Sequence, residues 1–316
     1  MIQRNTATRS RLVAVWPGMG QVAVTAGYYL MSKLHMHEEE APPTGDLFDL
    51  DHVDIKDGLA RAGRPPASHL FVWKDRPRQA DLRVLIGEAQ PALRNLDYCR
   101  RVLDRAQRQG VAQVYTFAAL ATNMNPGDPA RVFGAASDRE GLQELRHRGI
   151  EVIEEGRITG LNGVFLAAAA ERGIRGVCLL GEMPAFATQV PWPKAAHAIA
   201  DAFARLAQIE IDLRELAEYG HAMETQLTAA IQKVEEALRD RTEGGDTPAP
   251  VPDTASGDPA VPEALNDEDQ RRVEELFVQA SRDRSKAFEL KRELDRLGVF
   301  KDHEDRFLDI FRRKPA

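Results

Sequence analysis

The amino-acid sequence predicts an α/β fold whose mainly parallel sheet has helices on both faces, with a C-terminal helical extension. Three observations predict it. Short β-rich runs alternate with helical runs through the first two thirds of the 316 residues, an order typical of parallel sheets. The first run, residues 12–16, is apolar throughout, as in a strand buried on both faces. Beyond Pro193 the pattern becomes entirely helical.

The individual elements follow from local patterns. Asn95 is expected to cap one helix, and Ser137 with Glu140 forms the S-x-x-E pattern that begins another. The predicted strands cover residues 12–16, 70–73, 82–86, 111–117, 132–135, 150–153 and 174–180. The predicted helices run from the turn at 17–20 to about residue 33, from 96 to 108, onward from the cap at Ser137, and from 162 to 172.

The chain is predicted to divide into three parts. Apolar residues recur every three or four positions from Leu213 to Leu238, so residues 1–240 form an α/β domain ending in one long amphipathic helix. Residues 242–262 contain five Pro, three Gly and four acidic residues without one basic or aromatic residue. This composition predicts a flexible linker over 241–263. Residues 264–316 form a helical tail, expected as a helix pair on the main domain, with a coiled coil as the alternative.

Composition excludes several classes of function. A formal net charge of -7 argues against a protein that binds nucleic acid through its phosphates. No apolar run approaches the ~20 residues that a membrane span needs. The two cysteines, Cys99 and Cys178, form no metal or disulfide pattern, which fits a reducing compartment. We therefore expect a cytoplasmic protein without nucleic-acid or membrane partners.

Three glycine-containing loops are the candidate ligand-binding site. Each is predicted to follow the carboxyl end of a strand, where ligands of open parallel sheets usually bind. Glycines permit sharp turns there, and helix N-termini present free N–H groups to anions. The alternative is that the glycines are tight structural turns. The candidate residues are Gly18, Met19 and Gly20 in the first loop, Arg157, Gly160, Asn162 and Gly163 in the second, and Gly181 and Glu182 in the third.

The same loops carry a family resemblance. Residues 15–20, 160–163 and 177–184 resemble, in order and spacing, the signature stretches of the proteasome assembly chaperone two family, over roughly residues 10–240. The resemblance implies a sheet like that of nucleoside phosphorylases and hydrolases, without a demonstrated reaction. It also implies bacterial or archaeal-type homo-oligomers, often trimers. Eukaryotic relatives pair with a second chaperone and guide assembly of the proteasome α-ring.

The end of the sequence departs from that family picture. Chaperones that dock on the proteasome often finish in a hydrophobic-tyrosine-any tail, whereas this sequence has Pro315 at the tyrosine position. Docking by that route is therefore not expected.

Other polar residues are given structural or surface roles. His35 and His37 precede three glutamates, but no third ligand is fixed nearby, so solvated surface is preferred to a metal site. His197 and His221 are expected to be packing or surface residues. Glu182 is expected to make structural hydrogen bonds, with acid–base work as the alternative. Neither a metal nor a cofactor is predicted, and the sequence establishes no catalytic activity.

The sequence thus predicts a non-enzymatic protein-binding or assembly-chaperone-like protein that acts as a homo-oligomer, a trimer, and that contacts another protein complex. The alternative is a protein or enzyme that handles a nucleotide or a carboxylate at the rim of glycine loops, such as an ATP-dependent ligase. These two classes differ in whether titratable groups converge with Glu182.

Overall fold

An eight-stranded sheet forms the centre of this computed structural model, which describes residues 10–49, 53–56, 58–74, 81–243 and 265–312. The strands are β1 (Ser10–Val15), β2 (His37–Glu39), β3 (Val53–Lys56), β4 (Leu59–Ala62), β5 (Ser68–Trp73), β6 (Leu82–Gly87), β7 (Val111–Thr122), β8 (Val132–Ala136), β9 (Glu151–Val152) and β10 (Arg175–Pro184). The strand order of the large sheet is β2-β5-β6-β1-β7-β10-β8-β9, and β3 and β4 form a separate hairpin.

The four central strands, β6, β1, β7 and β10, run parallel, which confirms the mainly parallel sheet. The β5, β8 and β9 strands run in the opposite direction at the two sides. Side chains of the central strands alternate between two cores: Val13 and Val15 enter one, and Leu12 and Ala14 enter the other. Burial on both faces explains why the strands are continuously apolar.

Helices cover both faces, as predicted. The α1, α3 and α5 helices pack on one face, and α2 and α4 on the other. The α3 helix is capped one residue later than expected, because the Asp138 side chain accepts a hydrogen bond from the Gly141 N–H, while Ser137 instead bonds the Gly176 N–H. The ranges are α1 (Val22–Lys33), α2 (Asn95–Arg108), α3 (Arg139–His147), α4 (Gly160–Ala170) and α5 (Pro193–Ala207).

The long helix α6 (Arg214–Glu243) packs against α5 through its first turns, where Leu216 is fully buried. Farther along, the described side chains become half-buried or exposed, and Val234 is an exposed apolar residue. The predicted long amphipathic helix is thus present. The predicted linker falls almost entirely on residues 244–264, outside the described residues.

The tail folds into three helices, α7 (Asp267–Arg282), α8 (Ala287–Arg296) and α9 (Phe300–Arg312), rather than the expected pair. It packs against α1 and the β2 side of the sheet and belongs to the same hydrophobic core. Aromatic rings meet edge to face across this contact, within 6 Å between centroids, at Tyr28 with Phe307, Tyr29 with Phe288, and Phe71 with Phe311. Asp283 caps a short 3-10 turn between α7 and α8.

Candidate functional site

The first candidate loop crosses the segment that follows β10. The Gly20 N–H donates to the Thr188 carbonyl at 2.8 Å, and the Trp192 N–H donates to the Gly20 carbonyl at 2.8 Å. Gly20 has a φ of +58°, and a Cβ there would lie 2.8 Å from Met183 Cε. The positive φ would strain a residue with a side chain, whereas Met183 Cε is the end of a flexible side chain that can move aside. Gly20 therefore joins two loops, while Gly18 and Met19 lie exposed beside it.

Gln90 fills the gap between the first and second loops. Its Nε2 donates to the Pro17 carbonyl at 2.9 Å, and its Oε1 accepts from the Leu161 N–H at 3.0 Å. The N–H at the start of α4, which the sequence offered to an anion, thus has a partner within the protein. Sequence reasoning missed Gln90. The available signal was its position just after a predicted strand, at the same edge as the other loops.

The second loop approaches this edge differently from the prediction. The β9 strand runs antiparallel to the central strands and has two residues rather than four. Residues 153–159 must therefore run back toward the edge where α4 begins. Gly163 permits this path, because a Cβ there would lie 2.1 Å from the Ile158 carbonyl oxygen. Asn162 Oδ1 is buried without a hydrogen-bond partner among the described residues, and Arg157 is exposed.

The third candidate pair lies inside β10. Gly181 allows α5 to approach, since a Cβ there would lie 2.8 Å from the Ala195 carbonyl oxygen. The Glu182 carboxylate is buried and accepts from Arg131 Nε at 2.9 Å, from Arg131 Nη2 at 2.7 Å and from Thr122 Oγ1 at 2.8 Å. The hydrogen bonds from Arg131 lower the pKa of Glu182 despite its burial. Glu182 is therefore an ionised, fully engaged group, poorly suited to proton transfer near neutrality.

The candidate residues do not surround one common pocket. Glu182 lines an open depression with Thr122, Asp128 and Arg131. Gly163 lines a different one with Gly156 and Ile158. The three loops lie at the same end of the sheet, where backbone hydrogen bonds and the Gln90 side chain join them and no shared pocket forms.

The cysteines and histidines singled out in the sequence have no free catalytic role in this environment. It raises the pKa of each thiol, Cys99 and Cys178, to about 12, which removes thiolate reactivity. His197 is half-buried on α5, and burial lowers its pKa. His37 is exposed on β2.

No helix within the described residues is both long enough and apolar enough to span a bilayer.

The hairpin β3–β4 is a surface that sequence reasoning missed. Val53 pairs with Ala62 and Ile55 with Ala60, so these four exposed residues share one face. Leu59 and Arg61 alternate with Ala60 and Ala62 along β4 and therefore lie on the opposite face. The signal in the sequence was Asp57-Gly58 between alternating apolar residues, a strong hairpin pattern, and Gly58 has the positive φ of +76° typical of such turns.

This hairpin lies toward the same end of the sheet as the three loops, because the chain re-enters the sheet at Ser68, opposite Gly87 at the end of β6. Exposed apolar side chains also stand on the loops there, at Met19, Leu93 and Phe186. This end of the sheet therefore has exposed apolar side chains on its hairpin and loops, while the backbone of the loops is hydrogen-bonded within the protein.

The molecule is an α/β protein with a mainly parallel sheet between two helical layers. Loops that are hydrogen-bonded to one another cover the carboxyl ends of the central strands. The chain belongs to the PAC2 family, which matches residues 12–231 and is the proteasome assembly chaperone two family of the sequence resemblance. The tail from residue 265 onward lies outside that match.

Similar proteins and structures agree with this membership. The uncharacterized protein MJ1210 of Methanocaldococcus jannaschii is 34% identical over 112 residues, 35% of this chain and 42% of that relative, so the match spans less than half of that relative's length. PbaB of Pyrococcus furiosus, described as an archaeal proteasome activator, has a TM-score of 0.58 at 22% identity, covering 74% of this chain and 96% of that one.

Two actinobacterial structures are also similar. A proteasome-assembly chaperone homologue of Mycobacterium tuberculosis has a TM-score of 0.60 at 23% identity, covering 70% of this chain and 95% of that one. A PAC2 family protein of Streptomyces avermitilis has a TM-score of 0.59 at 24% identity, with the same coverage of 70% and 95%. At these identities the structural likeness establishes the shared fold.

Proposed function

We propose that this chain is a non-enzymatic, assembly-chaperone-like protein that binds other protein chains in the cytoplasm and acts as a homo-oligomer, a trimer. One observation carries the choice of a binding protein over an enzyme. Three positions of the candidate loops already have partners within the protein: Gly20 bonds residues 188 and 192, Leu161 bonds Gln90, and Glu182 bonds Arg131 and Thr122. Catalysis needs such groups free to face a substrate.

The apolar face of the hairpin supports self-association. Ile55 is 67% exposed, and Val53, Ala60 and Ala62 beside it are also exposed. Burying a side chain such as isoleucine contributes roughly 1.5–3 kcal/mol. A two-stranded hairpin standing apart from the main sheet is marginal by itself, so contact with a second copy would stabilise it. The half-exposed stripe along α6, including Leu227 and Ile231, adds a second apolar surface.

The mass in solution tests the oligomer. Light scattering coupled to size exclusion should give about three times the chain mass of 35.1 kDa. Ile55→Lys should weaken association at least about tenfold, since 1.4 kcal/mol corresponds to a factor of ten. Leu59→Lys is the matched control, because Leu59 is 61% exposed on the opposite face of the same hairpin. A monomeric wild type at micromolar concentration would overturn the oligomer. Equal association of the Ile55→Lys and Leu59→Lys variants would show that this hairpin face is not part of the oligomer interface.

The choice of partner rests on the family. Structural neighbours include PbaB, described as a proteasome activator, and a proteasome-assembly chaperone homologue, so we propose proteasome subunits as the partner complex. Co-purification with proteasome α-subunits of the native host tests this directly. A stable complex that forms with the wild type and is retained by Leu59→Lys would support the proposal. Failure of purified α-subunits to bind would contradict the proposed partner. The proposed oligomer is tested separately, by the mass in solution.

One buried atom favours the alternative, a small-molecule binding protein. Asn162 Oδ1 lies near the start of α4 without a hydrogen-bond partner among the described residues, and buried polar atoms usually have one. Nucleotides, nucleosides, phosphate and small carboxylates should be screened by thermal melting, with Asn162→Ala as the variant. A ligand at a hundredfold excess over its Kd stabilises by about 2.7 kcal/mol. A shift seen in the wild type and lost in the variant would favour this alternative over the binding protein.

A further inference from the structure

A second group of polar side chains lies at the contact between the sheet and the tail. His69 on β5, Glu88 just after β6 and Glu304 on α9 come from three separate elements. Their nearest ligand-type atoms all lie within 4.8 Å of one another. His69 is 7% exposed and Glu304 4% exposed. None of the three belongs to the candidate loops or to the proposed hairpin interface.

The histidine is oriented as metal ligands usually are. His69 Nε2 faces Glu88 Oε1 at 3.0 Å, while its Nδ1 faces Glu38 Oε1 at 3.5 Å. Glu38 is in turn held by Arg312 Nε at 2.6 Å. A carboxylate on the far nitrogen fixes the tautomer and ring direction of a metal-binding histidine. The other oxygen of Glu88 accepts from the Ala67 N–H at 3.1 Å, so this ligand is positioned as well.

Two exposed basic side chains now neutralise the carboxylates of this cluster, and a divalent ion can replace them. Arg64 Nη2 lies 2.9 Å from Glu88, and Lys301 Nζ lies 3.0 Å from Glu304. Both basic side chains are more than half exposed, at 55% and 67%, so each can turn toward solvent without burying a charge. The two carboxylates then carry two negative charges, which a divalent ion neutralises.

We propose that His69, Glu88 and Glu304 bind a divalent transition-metal ion that fastens the tail to the sheet. One imidazole nitrogen and two carboxylate oxygens suit Zn²⁺ better than Mg²⁺ or Ca²⁺, which prefer all-oxygen sites. Ligand atoms of tetrahedral Zn²⁺ are about 3.4 Å apart, given bonds of about 2.1 Å. The ligand atoms, now within 4.8 Å of one another, therefore have to close by up to about 1.4 Å when the ion binds.

Titration of the full-length protein with Zn²⁺, followed by calorimetry, tests the site. We expect one saturable ion per chain and a rise of a few degrees in Tm at a hundredfold excess over Kd, both reversed by a chelator. Co²⁺ should give visible absorption bands of a low-coordinate N/O site. Glu304→Gln preserves the shape of the tail and should weaken binding at least about tenfold, and His69→Ala should abolish it. His37→Ala, which removes an exposed histidine from β2, is the control.

Each outcome decides the question. Loss of Zn²⁺ binding in Glu304→Gln, with binding intact in His37→Ala, supports the site even where His69→Ala fails to fold. Equal Zn²⁺ affinity in the wild type and in Glu304→Gln would mean surface binding elsewhere and would overturn it. Absence of saturable binding, with a lower Tm in Glu304→Gln, would leave the group as a cluster of ion pairs and would also overturn the metal proposal.

Discussion

The three candidate loops and the C-terminal tail both pack against the sheet, but through different kinds of contact. At the loops the contacts are backbone hydrogen bonds and close approaches at Gly20, Gly163 and Gly181. At the tail they are aromatic side chains and charged groups, such as Phe307, Phe311 and Arg312. Backbone contacts tolerate almost no added atom, whereas side-chain contacts depend on the size and charge of a few residues. The two regions should therefore fail in different ways when they are changed.

The largest expected effect comes from removing the tail. A chain ending at residue 243 would expose Tyr28, Tyr29 and Phe71, all buried in the complete chain. Removing one buried aromatic side chain typically costs about 3–5 kcal/mol, and truncation removes Phe288, Phe307 and Phe311 together, whereas whole domains have a stability of only about 5–15 kcal/mol. We expect insoluble protein or a broad, early melting transition by circular dichroism. A truncated chain that melts within a few degrees of the complete chain would show that the tail is an accessory.

The division of the chain at 241–263 remains a sequence prediction, and proteolysis sharpens it. A protease should cut first within residues 242–262, because of their composition. Given the shared core, the two fragments should stay together in size exclusion until denaturant is added. First cleavage inside residues 10–200 would contradict the predicted division.

The next prediction concerns the loops. Gly163→Ala should destabilise the fold by about 3 kcal/mol, because the new Cβ would meet the Ile158 carbonyl oxygen at 2.1 Å. Gly18→Ala is the matched control and should change the free energy of unfolding by less than about 0.5 kcal/mol, since its Cβ meets open space. Urea unfolding measures both. Equal midpoints for the two variants would mean that the loop yields freely and that its close contact is not a constraint.

The smallest expected effect is that of Glu182→Gln, about 1–2 kcal/mol at pH 7, because the variant leaves Arg131 half exposed rather than buried and unpaired. The pKa of Glu182 is lowered in the folded state. Its stabilising contribution is therefore complete above the ordinary carboxyl pKa and is lost as pH falls through the lowered one. Unfolding curves of wild type and variant should converge in acid. A gap that stays constant down to about pH 3 would contradict the ion pair.

The sequence predicted the parts of the fold that depend on local pattern. Continuous apolar runs marked the central strands, and the regular spacing marked the long helix through Leu238, which the structure extends to Glu243. Tight-turn glycines were also visible, because positions such as Gly20 need a positive φ that glycine supplies easily. These features repeat at short range, so a single chain is enough to detect them.

The missed features depend on residues far apart in the chain. Gln90 bonds Leu161 across 71 positions, and Arg312 bonds Glu38 across 274. The direction of β9 is set by pairing with β8, which no local pattern records. His69 appeared unremarkable in the sequence because Glu88 and Glu304 reach it from other elements. Tertiary pairing decides such contacts, and composition or periodicity carries little trace of it.

The way the main sheet ends has a consequence for aggregation. Its outermost strands are β9, with two residues, and β2, with three residues, beside which Arg312 of α9 engages Glu38. Strands this short offer few unpaired backbone groups, so the sheet is protected against edge-to-edge growth into fibrils. The β3–β4 hairpin pairs with no other described strand, so the outer edges of both its strands lack strand partners. Amyloid-type stacking or strand exchange, under conditions that loosen this protein, should therefore begin at residues 53–62.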